Sequence, residues 1–166
     1  VVERQAELAQ VPWIPVQTSG ETPQDLEDLA KALSSLEIDG FVSGALRSDY
    51  QKSRLELMAE SLDLISWTPL WHQDGYSHLR GMVEHGFNIM LTGISAEGLD
   101  KKWLGHTLTL ESVEELNQLA KKYRFNVEGE GGEYETLVLS GPHHEGEVVV
   151  EATPSWDGVR GTLTIH

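Results

Sequence analysis

Up to residue 67 the chain alternates between two hydrophobic periods, and this constrains the fold more than any other feature. Residues 1–10 are helix-like, with Val1, Val2 and Leu8 apolar among polar neighbours and Pro12 as a stop. Residues 13–17 (WIPVQ) form a short apolar run suited to a strand. Thr22 and Pro23 read as a helix start, and Leu26, Leu29, Ala30 and Leu33 then recur at helical spacing. Residues 40–44 (GFVSG) read as a second strand. Ser48 or Asp49 caps a further helix striped by Leu55, Met58, Ala59 and Leu62, and residues 64–67 read as a third strand. Helix and strand alternating in this way predict a parallel sheet with helices on its faces, an α/β fold.

Residues 68–71 (TPLW) break the rhythm and mark the expected domain boundary, giving domains of residues 1–68 and 69–166. Beyond it, residues 76–84 predict a helix closed by Gly86, and residues 87–93 (FNIMLTG) an apolar strand. Residues 98–105 predict a short helical turn between glycines, and residues 111–123 an amphipathic helix with Val113, Leu116, Leu119 and Ala120 on one face. Residues 147–152 and 158–165 predict an antiparallel hairpin joined by a longer loop through Thr153 and Trp156. The edge of such a hairpin is open to pairing with a second copy, so a homo-oligomer is compatible with the pattern.

A formal net charge of −15 repels phosphate and disfavours a nucleic-acid partner. The chain has no cysteine, which excludes disulfides, thiolate metal sites and cysteine nucleophiles and fits a reducing cytoplasm. No apolar run approaches the roughly 20 residues of a membrane span. His143 and His144 are adjacent and so point to opposite sides of a strand, a poor pair for one ion. The chain opens at Val1 in the middle of an amphipathic pattern, which predicts further residues upstream.

Two stretches concentrate chemistry. Residues 128–142 (EGEGGEYETLVLSGP) place Glu128, Glu130, Glu133 and Glu135 among Gly129, Gly131 and Gly132, ahead of a strand-like run. Clustered carboxylates repel one another unless a cation or hydrogen-bond donors sit among them. Glu130, Glu133 and Glu135 are candidates for an oxygen-only Mg²⁺ site, with 133 and 135 on one face if both lie in a strand. Residues 44–54 (GALRSDYQKSR) lie where a strand's carboxyl end enters a helix, the edge at which open parallel sheets bind ligands. There the helix N-terminus offers unpaired N–H groups to phosphate, with Arg47 and Arg54 nearby. An acidic surface turn and an ordinary helix cap are the plain alternatives for these two stretches. Trp71, beside His72 at the boundary, is a core or a cleft residue.

Residues 43–54 (SGALRSDYQKSR), 69–71 (PLW), 97–105 (EGLDKKWLG) and 129–136 (GEGGEYET) occur in this order. Together they resemble the diphthine–ammonia ligase family of ATP pyrophosphatases, over nearly the whole chain. The resemblance implies the remainder of an adenine nucleotide α-hydrolase-like (HUP, Rossmann-like) parallel-sheet domain followed by a smaller α+β domain. It implies ATP-dependent adenylation of the diphthine carboxylate on elongation factor 2, followed by displacement of AMP by ammonia, with Mg²⁺ assisting. It places Gly44, Ser48, Asp49, Tyr50, Gln51 and Arg54 at the nucleotide. It places Glu130, Gly131, Gly132, Glu133, Glu135 and Thr136 in the second domain facing the same cleft, with Trp71 beside the substrate. Whether the glutamates bind Mg²⁺, steer ammonium or take its proton stays open.

This sequence departs from the family pattern at three places. The SGGKDS phosphate loop of the family does not occur in it and is expected upstream. Ser140 stands where an acidic residue is common, and His106 where arginine is common. The sequence therefore keeps two other readings alive: a non-catalytic nucleotide- or partner-binding module, and a related ATP pyrophosphatase with another acceptor.

Overall fold

The computed structural model describes residues 1–21 and 23–166. The architecture is mixed α/β, with a parallel two-stranded sheet and an antiparallel four-stranded one. The chain forms two compact units, Ile14–Gln73 and a second made of Val1–Trp13 with Asp74–His166. The expected N-cap Thr22 lies outside the described residues.

In the unit Ile14–Gln73, helix α2 (Gln24–Leu33) leads to strand β1 (Gly40–Val42). Helix α3 (Asp49–Ser61) then crosses over to strand β2 (Ile65–Trp67). The two strands pair in parallel, Gly40 opposite Ile65 and Val42 opposite Trp67. A parallel pair needs such a crossover, and α3 supplies it while burying Met58 and Ala59 of the expected stripe. Gly40 is required by close approach, because a Cβ there would stand 2.4 Å from the carbonyl oxygen of Ile65. Residues 13–17 form no strand. Pro15 removes a ladder donor from the middle of that run, and Trp13 and Ile14 are exposed.

In the other unit, helix α4 (Gly75–Glu84), strand β3 (Asn88–Ile94), a 3₁₀ turn (Lys101–Trp103) and helix α5 (Leu110–Tyr123) come first. Strands β4 (Tyr134–Ser140), β5 (Ala152–Trp156) and β6 (Gly161–Ile165) complete a sheet in the order β4-β3-β6-β5. β3 is central and covered on both sides, which explains its nearly unbroken apolar run. Ile89 and Leu91 pack with Leu79 of α4 and with Val113 and Leu116 of α5. Met90 joins Leu139, Val148 and Leu8 in a second cluster. Leu8 comes from helix α1 (Val2–Leu8), and Gln5 Nε2 donates to the Val138 carbonyl at 2.7 Å. The first helix therefore belongs to the second cluster of this core rather than to the unit that follows it in sequence.

Two details shape this core. β6 pairs with β3 only at Gly93 and Ile94, so the rest of that β3 edge is free for another partner. The segment after the 3₁₀ turn takes it, with Gly105 N donating to Leu91 O, Leu91 N to His106 O and Leu108 N to Ile89 O. This docking carries Trp103 into the core, where it is 2% exposed. The C-terminal hairpin is shorter and later than the pattern predicts. Residues 147–151 lie outside any strand, residues 153–156 expected in the loop are β5, and the turn is tight. Asp157 Oδ1 accepts from the N–H groups of Val159 and Arg160, so Asp157-Gly158 is the hairpin signal that the longer-loop reading overlooked. Pro154 is tolerated because β5 is an edge strand.

Helix α5 starts with a reciprocal cap. Thr109 Oγ1 accepts from Ser112 N at 3.1 Å, and Ser112 Oγ accepts from Thr109 N at 2.8 Å. Thr109→Ala is expected to lower stability by about 1 kcal/mol, read as a shifted urea midpoint at unchanged slope.

Candidate functional site

The acidic glycine turn joins α5 to β4. Helix α5 ends at Arg124 in the left-handed conformation (φ 61°, ψ 49°), and the chain then folds into consecutive tight turns. Gly129 N donates to Asn126 O and Gly132 N to Gly129 O, both at 3.0 Å. Gly129 and Gly132 hold φ near +76° and +79°, a region that suits glycine. The end of β3 grips this turn from one side. Ser95 N and Ala96 N both donate to the Glu133 carbonyl, at 2.9 and 3.0 Å, and the Ser95 hydroxyl donates to Gly132 O.

The glutamates separate into distinct roles. Glu133 precedes β4 and its carboxylate curls back, accepting from Asn126 N at 2.8 Å and from Gly131 N at 2.7 Å. Gly131 makes room for this, since a Cβ there would stand 2.7 Å from Glu133 Oε1. Glu133 and Glu135 therefore do not present paired carboxylates on one strand face. Glu135 is exposed and lies over Gly93, where a Cβ would come within 3.0 Å of its Cγ. Glu128 lies against the first turn of α4, its Oε2 occupying the space a Cβ of Gly75 would need. Glu130 and Glu135 carry carboxylates that make no hydrogen bond or ion pair among the described residues. Thr136 is exposed on β4 opposite Leu91, and Gly132 faces open space.

Tyr134 anchors the turn from beneath. It is 4% exposed, and its hydroxyl donates to the Val127 carbonyl. Burial first, and then the nearby Glu128 and Glu133 carboxylates, push its phenol well above the ordinary tyrosine range. Tyr134 begins the strand-like run, and its position directly after the glycine-glutamate stretch is the sequence signal for this anchor. Among the described residues no three His, Asp or Glu side chains come together as a metal-binding group. Glu130, Glu133 and Glu135 do not form a Mg²⁺ cage, and Glu133 is committed to backbone N–H groups.

The second stretch lies in the unit Ile14–Gln73. The parallel pairing of β1 and β2 continues one step, with Ser43 N donating to Trp67 O and the Ser43 and Thr68 hydroxyls 3.1 Å apart. Ser48 is the N-cap of α3, its side chain accepting from Gln51 N at 3.3 Å, and Asp49 is the first helical residue. Gly44, Gln51 and Arg54 line one cavity of about 210 Å³ with Leu26, Ser43, Ala45 and Leu55. Gly44 has nothing within 4 Å of where a Cβ would be, so its backbone is open to a close ligand.

Arg54 is held in place. It forms an ion pair with Asp25 of α2 at 2.7 Å, and its guanidinium stands 5.1 Å from the centre of the Tyr50 ring. The Arg54 hydrogen bond holds the Asp25 carboxyl below the usual range, and Asp25 raises the guanidinium in return. Asp25 is a partner of Arg54 that the sequence does not reveal, because no local pattern ties a residue of α2 to one of α3. Trp71 belongs to this same unit. It stacks on His72 with centroids 4.5 Å apart, and Lys52 Nζ stands 5.3 Å from its ring centre. The ring is half-buried and has a polar neighbour on it.

Comparison with known proteins bears on both stretches. The model of the diphthamide synthase N-terminal domain matches residues 1–66, and that of the diphthamide synthase C-terminal domain matches residues 74–166. The chain is 37% identical to diphthine–ammonia ligase of Mus musculus over 139 residues, which cover 82% of this chain and 52% of the mouse protein. It is 36% identical to the diphthine–ammonia ligase of Danio rerio over 138 residues, covering 82% and 54% of the two chains. Against the protein of that name in Schizosaccharomyces pombe it is 36% identical over 135 residues, 80% of this chain and 22% of the yeast one. The chain thus spans about half the length of the vertebrate relatives it matches.

Proposed function

Since the chain belongs to the diphthamide synthase family, we propose that it serves an ATP-dependent amide ligase of the diphthine–ammonia type. In this reading ATP is the activating nucleotide, ammonium the nitrogen source and elongation factor 2 the carrier of the diphthine carboxylate. The carboxylate oxygen attacks the α-phosphorus and pyrophosphate leaves. Ammonia then attacks the acyl carbon, and AMP leaves with the electron pair of the cleaved C–O bond.

The observation that carries the nucleotide half is the cavity at the start of α3, where Gly44, Gln51 and Arg54 converge at the carboxyl end of β1. Its donor set suits an adenylate phosphate: helix N–H groups beyond the one Ser48 engages, and a guanidinium held ready by Asp25. Tyr50 supports the guanidinium from its ring face. When bound, ATP supplies the phosphoanhydride whose cleavage drives amide formation. The chain's own groups bind the phosphate and orient it.

The acidic turn is assigned to the ammonium and acceptor side. Glu130 and Glu135 are its candidate acid–base and ammonium-capturing groups, because their carboxylates are uncommitted. Glu133 shapes the turn, with Gly131, Gly132 and Thr136 on the exposed surface beside it. Trp71 is assigned to a wall of the nucleotide unit. In functional terms we place the unit Ile14–Gln73, Trp71 included, on the nucleotide side and residues 74–166 on the acceptor side.

The test is AMP release and amide formation from ATP, ammonium and diphthine-bearing elongation factor 2. AMP and amide are expected in equal amounts, and Arg54→Ala is expected to lower kcat/KM by about 10²-fold through lost phosphate stabilisation. ATP binding without AMP release, with acceptor and ammonium present, overturns the ligase reading in favour of a binding module. AMP release that depends on a different acceptor moves the chain to a related ATP pyrophosphatase.

A further inference from the structure

Ser95 and Ala96 follow β3 and hold the acidic turn, all within the unit that contains Asp74–His166. Their N–H groups converge on the Glu133 carbonyl, at 2.9 and 3.0 Å. These two bonds extend the β3–β4 pairing a step beyond Ile94 and Tyr134, as a strand end does. The Ser95 hydroxyl does something the ladder does not require. It reaches one residue further back and donates to Gly132 O, with Glu133 O a longer second acceptor at 3.3 Å.

The bonded carbonyl lies at the crest of the turn, in the stretch Glu130-Gly131-Gly132. Gly131 is held from one side, its N–H donating to Glu133 Oε2 at 2.7 Å. Gly132 is held from the other, its carbonyl by the Ser95 hydroxyl and its N–H by Gly129 O at 3.0 Å. A glycine loses more conformational freedom on ordering than any other residue, so a Gly-Gly pair keeps one conformation only where such bonds secure it. Glu130 precedes this pair directly, and its carboxylate has no hydrogen bond or ion pair among the described residues. The backbone that Ser95 tethers therefore sets where that carboxylate stands. A charged group on a loose backbone has to be ordered again at each capture of a ligand, and small misplacements lower its effectiveness steeply.

We propose that Ser95 is a positioning residue for ammonium capture, its hydroxyl fixing the Glu130 carboxylate by tethering Gly132 O. The inference rests on the assignment of the acidic turn to the ammonium side. Ser95 touches no substrate in this role and acts through Gly132 and Glu130.

The test varies ammonium at saturating ATP and acceptor in the AMP-release assay, using the full protein. Ser95→Ala is expected to raise the apparent KM for ammonium at least about fivefold, with the KM for ATP within about twofold of the parent. Ser95→Thr keeps the hydroxyl and is expected to restore the parent KM for ammonium. Thr109→Ala is the control for a purely structural loss. It removes the cap at the opposite end of α5 and is expected to leave the KM for ammonium unchanged. Amide hydrogen exchange at Gly132, measured without substrates, is expected to be at least about tenfold faster in Ser95→Ala and parent-like in Ser95→Thr. A parent that releases no AMP with all three substrates present overturns the ammonium assignment, and this inference with it. A parent that turns over beside a Ser95→Ala variant of unchanged KM for ammonium overturns this inference alone. So does unchanged Gly132 exchange in Ser95→Ala, or an equal rise in KM for ammonium in Thr109→Ala or Ser95→Thr.

Discussion

Replacing Glu133 with alanine is expected to lower the unfolding free energy by about 2–3 kcal/mol, whereas Glu130→Ala and Glu135→Ala each change it by no more than about 0.5 kcal/mol. The difference arises in the turn between α5 and β4. Both Glu133 oxygens accept from backbone N–H groups, those of Asn126 and Gly131, and these charge-assisted bonds close the turn on itself. Both bonds are exposed to solvent, which keeps the loss below the sum of two buried ones. Glu133→Gln retains an acceptor but not the charge, so an intermediate loss is expected. Gly131→Ala tests the same latch from the other side, because its new Cβ would displace the Glu133 carboxylate. Urea denaturation followed by tryptophan fluorescence reads all of these. A Glu133→Ala midpoint matching those of Glu130→Ala and Glu135→Ala would show that the carboxylate does not latch the turn. The result also governs how activity data are read. Loss of turnover in a Glu133 variant follows from an opened turn, while the same loss in a stable Glu130 or Glu135 variant identifies a group acting on ammonium or acceptor.

Gly98→Ala is expected to cost about 2–4 kcal/mol, from a strained backbone and a collision together. Gly98 holds φ at +92°, and a Cβ there would stand 2.2 Å from the Tyr123 ring. The ring belongs to the last residue of α5, so the substitution pushes the loop after β3 away from the end of that helix. Tyr123→Ala in the same chain removes the collision and leaves the dihedral strain. The double variant is therefore expected to be more stable than the sum of the two single losses predicts. Thermal unfolding of the four chains measures this. Strict additivity would mean that the ring and the loop are not in contact.

The expectations for this protein divide by the range of the interactions behind them. Periodicity located α3, α4, α5 and β3, because each buries a regular stripe of its own residues. The resemblance carried by four short blocks pointed to the family that the comparisons then showed. The run at residues 13–17 looked like a strand, but a strand needs a partner for its backbone groups, and Pro15 withholds one donor. The C-terminal hairpin forms from residues 152–156 and 161–165 rather than from 147–152 and 158–165. Val148 looks like strand, yet it is buried with Leu8, Met90 and Leu139 outside any strand, and β5 forms instead from the Pro154 segment.

The sequence by itself determined the helices, the central strand and the two chemically dense turns, since each rests on spacing within a few residues. The tertiary structure decided the partnerships. It set Leu8 of the first helix against β3 and β4, tied Arg54 to Asp25 across 29 positions, and seated Trp103 beside β3 with its indole nitrogen unpaired. It also divided the glutamates, committing Glu133 to the backbone and leaving Glu130 and Glu135 uncommitted. These outcomes depend on which distant surfaces bury each other, and residue spacing carries no record of that.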